Sequence, residues 1–395
     1  GSAYAWDRSH AEPIPLPAGL AALLLLAAGG LSLSVATGSS GSSGQSTAVS
    51  AGVAVAVNKI SSNVSALIED TRGSGVSWTE GGGGTLTVEA LNTRSIGAYT
   101  LAGAVSVASG TQGDGVAGAL AASGSVNQIL GDTVAGVRRS TVTVPGAMTV
   151  HAKDSARIIA GAGGIAASFG LSSQGNGGAG AFGAAFAINS IGSDDEANDI
   201  WADVDTSTIT AAGPVSVNAE SDAYIFALAI GAAGSVSGSG SGNALSGSLA
   251  GSATVNKIRN KTQARVGNGS SVTTTAGSGG TVSVTAADES AINATAGSAS
   301  VGISMGSNGQ SVAFGLGFSL TINDIANTVL GVVEDSDLTA DGAVTVSALS
   351  DSEIQSLAFG LSVTVAISGG DTAIAANATG ALSFNYIDNT IEAAV

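Results

Sequence analysis

The sequence predicts an all-β fold, an elongated β-solenoid of about six repeats of 62–69 residues. Each repeat is expected to hold a long Ala/Gly-rich β-hairpin plus shorter strands, in tightly packed sheets. Three observations carry this expectation. A pattern Gly-x-Φ-[Ser/Thr]-Val-x-Ala begins at Gly84, Gly146, Gly213, Gly280 and Gly342, and a pattern Asn-x-Ile begins at Asn58, Asn127, Asn189, Asn256, Asn323 and Asn385. Each of these glycines precedes the next asparagine by 43 residues, whereas the return gap varies between 19 and 26. A fixed piece alternating with a variable one reads as a packed layer and its loop-bearing side.

Composition says what such a layer must be made of. Hydrophobic residues reach 44% but aromatic ones only 4%, and 59 residues are glycine. The core is therefore expected to be built from Ala, Val, Ile and Gly, with backbones in close approach. Charged residues are 10% of the chain and the net charge is −17, which argues against nucleic acid as a partner. It also argues against docking on an anionic membrane through a basic patch. The chain has no cysteine, which excludes disulfides and thiolate metal sites.

Taken in order, residues 1–21 do not fit the repeat and read as a lead-in or cap over the first edge of the stack. Pro13, Pro15 and Pro17 punctuate this segment. Residues 22–395 read as one repeat domain. The apolar run 18–31 invites a membrane span but falls short of the roughly 20 residues a helix needs. The preceding prolines make it similar to the sorting tails of exported bacterial proteins, but those sit at a C-terminus before a basic cluster. Counting back from Asn58 lays residues 22–58 over 91–127, so the run reads as a repeat strand and a membrane span is disfavoured.

Within each fixed piece, an extended run such as 95–108 or 354–367 leads to a Gly/Ser/Asn turn. The turns fall at 172–178, 237–243, 306–310 and 368–371, and a second run then returns to the asparagine. Two strands around a glycine-rich turn predict a hairpin. One face carries Val, Ile, Leu or Phe and the other Ala, Gly and Ser, with neither face charged. Such strands are expected to be covered on both sides, as an interior layer. Ala-rich runs also suit helices, but the period-two pattern of residues 51–57 opposes that.

Acidic residues gather after each asparagine and at a second corner marked by Asp154, Asp222, Asp288 and Asp351, where they are expected to keep the edges soluble.

Several residue sets invite function. The six asparagines are expected to stack as a structural ladder, since a buried amide without a partner costs about 1–3 kcal/mol. A ligand-binding row is the alternative. Asp194, Asp195, Asp199, Asp203 and Asp205 are weak Ca2+ candidates, without the spacing of a known calcium loop. No other cofactor is expected. His10 and His151 are the only histidines, and His151 sits where other repeats hold Glu89, Asn218, Thr285 and Ser347. No catalytic pairing follows. A β-helix that binds or cleaves polysaccharide is the alternative class, with Arg138, Arg139, Lys257, Arg259 and Lys261 as its cations. Threonine rows at 141–143, 206–210 and 273–275 suggest ice binding but do not recur in constant register across all repeats.

On the recurring Gly-x-Val-Thr-Val-x-Ala and Ala-Val-Asn-x-Ile units, the chain resembles the repeat regions of giant secreted bacterial surface proteins, the adhesin-like β-solenoids. The resemblance implies a non-enzymatic extracellular stalk, adhesin or matrix filament, secreted or held at the cell surface. The expected partners are adjoining repeats of a longer parent chain, or other copies added end to end by β-strand addition, with surface glycans as candidate ligands. Two strands per repeat in one sheet would give a rise of about 9–10 Å per repeat.

Overall fold

The structure, a computed structural model, describes residues 19–37, 45–71, 75–77, 84–275 and 277–395. The lead-in expected over residues 1–21 lies almost entirely outside the described residues. The first coil contains β1 (Gly19–Thr37), β2 (Ser46–Ser61), β3 (Val64–Glu69) and β4 (Val76–Ser77). The second contains β5 (Leu86–Gly110), β6 (Gly115–Leu130), β7 (Thr133–Arg138) and β8 (Thr141–Val144). The third contains β9 (Met148–Ser172), β10 (Gly177–Ile191), β11 (Asn198–Asp205) and β12 (Thr208–Ala211). Next come β13 (Val215–Ser239), β14 (Ala244–Ile258), β15 (Asn260–Gly267) and β16 (Ser271–Thr274). The fifth coil holds β17 (Val282–Gly306), β18 (Ser311–Ile325), β19 (Thr328–Val333) and β20 (Asp337–Thr339), and the last holds β21 (Val344–Ser368), β22 (Ala373–Ile387) and β23 (Thr390–Ala394).

Each strand pairs in parallel with its equivalents in the neighbouring coils, which builds four stacked sheets. The first long sheet runs β1-β5-β9-β13-β17-β21 and the second β2-β6-β10-β14-β18-β22. Strands of the third and fourth sheets are short. The chain is thus a β-solenoid, and the fixed 43-residue piece is two long strands joined by a four-residue tip. The variable piece carries the two short sheets and their loops.

Three sequence expectations are corrected here. The long strands do not form a hairpin: β5 and β6 belong to different sheets and face each other as two layers of an arch. Alternation and a glycine-rich turn suit either arrangement, because period two is common to parallel and antiparallel strands. Each coil then gives one strand per sheet, so the rise per coil is one strand spacing, about 4.8 Å, rather than twice that. Lastly, Ala22 pairs with Arg94, not Leu91, although Asn58 pairs with Asn127. The connection between β1 and β2 is three residues longer than its counterparts. An odd shift exchanges the two faces of a strand, so Leu31, Leu33 and Val35 point outward, the first of them 82% exposed.

The interior has distinct compartments. Where the first, third and fourth sheets enclose a body, Val88, Val137, Val142, Val150, Ile200, Val204, Ile209 and Val217 form a branched aliphatic core. Beyond it lies a ladder of isoleucines, Ile60, Ile129, Ile191, Ile258 and Ile325 facing Ile96, Ile158, Ile225 and Ile292. Farther out, the two long sheets close on each other as a thin slab lined by Ala54, Ala102, Ala104, Ala121, Ala166, Ala181 and Ala250. Glycine is required where the backbones touch. A Cβ on Gly183 would overlap the carbonyl oxygen of Ala232, and one on Gly164 that of Ala184.

One corner recurs with a left-handed backbone at Asp70, Arg139, Thr206, Asn268 and Asp335. This conformation costs an L-residue roughly 1–2 kcal/mol, less for Asn and Asp, and is worst for β-branched side chains. Thr206→Asn, which copies the neighbouring Asn268, is expected to stabilise the fold by about 0.5–1 kcal/mol. A urea midpoint that falls would show that the hydroxyl bond from Thr206 to Asp205 matters more than the corner.

Candidate functional site

The six asparagines lie in one column on the second sheet, the first five of them buried. Asn58 Nδ2 donates to Asn127 Oδ1 at 2.7 Å, and the same bond repeats through Asn189, Asn256, Asn323 and Asn385 at 2.7–2.8 Å. Adjacent coils are one strand spacing apart, so each amide can donate upward and accept from below. Asn189→Ala orphans the donor of Asn127 and the acceptor of Asn256. It is expected to cost about 2–3 kcal/mol in urea unfolding, whereas Asn385→Ala, with one column bond and more exposure, costs under about 1 kcal/mol.

A second asparagine column was missed by sequence reading. Asn260 N donates to Asn327 Oδ1 and Asn327 N to Asn389 Oδ1, both at 2.9 Å. A signal was present, since these residues follow Asn256, Asn323 and Asn385 by four positions. Their amides reach across to a column on the first sheet: Asn260 to Ser221, Asn327 to Asp288, and Asn389 to Ser350. Asp154 and Asp288, expected at a solvated edge, belong to this seam and are each 1% exposed. Arg94, fully buried beside them, donates to Asp154 Oδ1 at 2.6 Å and to the Gly131 carbonyl. Burial outweighs the attraction of Arg94 and pushes the Asp154 carboxyl up to about 6. Asp288 is raised for the same reason, against hydrogen bonds from Ser221, Asn327 and Ser290.

The calcium candidates do not converge. Asp194 is bound by Lys257 at 2.5 Å and Arg259 at 3.0 Å, and the Lys257 hydrogen bond leads the forces that hold its carboxyl below the usual range. Asp203 is buried against Arg138 at 3.0 Å, and Asp205 accepts from Arg265 and Asn268. Burial raises Asp199, and Asp195 lies in the exposed loop before β11. Among the described residues, no group of three or more His, Asp or Glu is placed to hold a metal ion.

The cations considered for a polysaccharide site are likewise engaged: Arg139 with Asp70, Arg259 also with Asp324, and Lys261 over the Trp201 ring at 5.1 Å. His151 lies between Glu89 at 3.2 Å and Glu220 at 3.6 Å. His10 is outside the described residues. Four coils align a threonine, Thr143, Thr210, Thr273 and Thr339 on the fourth sheet, with Ser77 in that place on the first coil. The neighbouring row, Thr141, Thr208 and Ser271, ends in Asp337.

The largest unexplained feature is the slab's exterior. Its strands were expected to be covered on both faces, yet Ala, Gly and Ser point inward and the large apolar side chains point out. On the second sheet, β18 presents Val312, Phe314, Leu316, Phe318, Leu320 and Ile322. Its neighbour β14 presents Leu245, Leu249 and Val255 among glycine and alanine, and β10 presents Phe182, Phe186 and Ile188. Phe318 is 47% exposed and Leu245 51%. On this face lies an apolar groove of about 670 Å3 lined by Val116, Leu120, Phe182, Leu245, Leu249 and Phe314. The first sheet is similar: Leu101, Ile165, Phe169, Ile230, Phe359 and Leu361 are 38–56% exposed.

With six strands about 4.8 Å apart and an apolar reach of about 33 Å, each face offers on the order of 900 Å2. Soluble monomers rarely expose contiguous apolar patches beyond a few hundred Å2.

Comparisons with protein-family models, with curated proteins and with solved structures find no match to this chain.

Proposed function

We propose that the chain is a non-enzymatic structural and adhesive element of an extracellular or cell-surface assembly: part of a stalk, adhesin or matrix filament. The observation that carries this reading is the sameness of every coil-to-coil step. The first three sheets and the first asparagine column step through all six coils, so the geometry favours growth along one axis. The tips add their own column, in which Asn176, Asn243 and Gln310 backbone amides donate to the Asp114, Asn176 and Asn243 side chains. The open edges of β21 and β22 offer the backbone template to which a further coil, of a parent chain or of another copy, would add.

Electron microscopy at rising concentration tests the reading. Rods lengthening in steps that fit about 4.8 Å per coil are expected, and separate beads or side-by-side bundles would defeat it. The polysaccharide reading retains only the acidic and basic residues beside the body, which are mostly paired with each other. It is tested by incubating the chain with acidic glycans, with and without Ca2+. Depolymerisation that disappears in Arg138→Ala or Asp203→Asn would replace the structural proposal.

A further inference from the structure

The geometry points to the hydrocarbon interior of a lipid bilayer as the occupant of the slab's two apolar faces. The evidence is where polarity stops and starts. On the second sheet the outward side chains are apolar from 116 to 126, from 178 to 188, from 245 to 255, from 312 to 322 and from 374 to 384. The next outward position toward the body is polar in every coil: Lys59, Gln128, Ser190, Lys257, Asp324 and Tyr386. At the other end lie the tips, such as Ser173-Gln174-Gly175-Asn176 and Ser307-Asn308-Gly309-Gln310, which hold only polar residues and glycine.

On the first sheet the change is staggered: Phe226 and Tyr224 carry the apolar run of β13 on to Asp222, past the level at which β9 and β21 turn polar. Its apolar stretch 357–367 is bounded by Gln355 and Glu353, and 161–171 is closed off by Arg157 two positions beyond Ile159.

Both faces therefore carry a band of about eleven residues without a charge. At about 3.3 Å per residue it spans roughly 33 Å, against roughly 30 Å for the hydrocarbon of a bilayer and 9–11 residues for a tilted membrane strand. A surface made to bind another protein has no reason to match that thickness on two opposite faces. Parallel pairing satisfies the backbone inside the band, as hydrocarbon demands.

Among the described residues β1, β2, β21 and β22 each have a neighbour on one side only, and the same rule requires the other side to be paired before insertion. In the inserted unit the polar tips reach one headgroup layer and the charged body rests at the other. Among the described residues no helix is long and apolar enough to cross a membrane, and the two apolar faces are built of strands.

The absence of cysteine makes a depth measurement direct. Single variants Ser241→Cys at a tip, Leu316→Cys at mid-band and Asp324→Cys at the body boundary are labelled with an environment-sensitive fluorophore. The chain is then mixed with phosphatidylcholine vesicles that carry quenchers at defined depths. Flotation with the vesicles is expected, with residue 316 quenched most by the deepest probe and residues 241 and 324 most by headgroup probes. Failure to float, or one quenching profile at all three sites, overturns the inference. So do concentration-dependent oligomers that shield residue 316 without lipid and refuse vesicles, since the faces would then be pairing between copies. Leu316→Asp with Phe318→Asp points outward and leaves the slab interior intact. Its far-ultraviolet circular dichroism should be unchanged while flotation falls at least tenfold, and flotation unaffected by the two charges would likewise sink the proposal.

Discussion

Gly183→Leu is expected to destroy the cooperative unfolding transition, at a cost above about 3 kcal/mol and beyond the usual range for an overfilled core. Gly183 faces inward on β10, and the first atom of any side chain there meets the Ala232 carbonyl on the opposing sheet, with the Gly164 oxygen 2.9 Å away. Neither obstacle is the end of a flexible side chain; both are backbone held by two ladders. The equivalent positions in neighbouring coils are Gly52, Ala121, Ala250, Gly317 and Thr379, small in every coil but the last. Gly183→Ala should therefore cost less, about 1–2 kcal/mol, by prising the sheets apart locally. Gly180, three residues earlier on the same strand, points outward with nothing within 4 Å of its missing Cβ. Gly180→Leu is expected to change stability by less than about 0.5 kcal/mol. Urea titrations of the three variants decide the matter: equal losses at 180 and 183 would refute the close approach of the sheets.

The buried pair of Arg94 and Asp154 gives the second large effect. Arg94→Ala leaves a carboxylate in the seam without its counter-charge and is expected to cost about 3–5 kcal/mol at pH 7. Other coils show the remedy. The Arg94 position is occupied by Ala156 and Ala223, and the Asp154 position by Ser221 and Ser350. Arg94→Ala combined with Asp154→Ser should recover most of the loss, since replacing both partners of a buried pair is far milder than removing one.

The pair also sets a pH dependence. Asp154 is raised in the folded chain from 3.8 to about 6, so between those values the native state holds a proton that the unfolded chain has released. The resulting stabilisation is complete below the unfolded value and lost as pH rises through about 6. Acidifying from pH 7 to 5 should strengthen the fold by about 1–2 kcal/mol, and Asp288 and Asp203, both raised by burial, act in the same direction. Asp154→Asn should flatten most of this rise; a wild-type urea midpoint that falls on acidification would contradict the assignment.

These residues also mark what could be read from sequence. The repeat, its fixed and variable parts and the solenoid class followed from the spacing of Gly84 to Gly342 and Asn58 to Asn385. The pairing did not follow, because strands around a Gly/Ser tip look alike whether they bond to each other or to the next coil. Nor did the orientation of the slab. The usual rule puts Phe182 and Leu316 inside and Ser123 or Ser248 outside, and here it is inverted because only small residues let the two layers meet. The position of β1 was misjudged for a separate reason: a longer connection is silent in sequence until both flanking strands are placed. Arg94 carried no pattern, since its neighbours in the stack are Ala22 and Ala156, and Asp154, read as a corner acid, gave no sign of burial between Asn92 and Ser221.

The uniform cross-section has a consequence at the level of the gene. Because every coil meets its neighbours through the same faces, removing or duplicating one whole unit leaves two surfaces that still match. Unequal recombination between such units can lengthen or shorten the assembly without passing through a misfolded intermediate sequence. Size becomes a quantity that selection can adjust in increments, while the architecture stays constant.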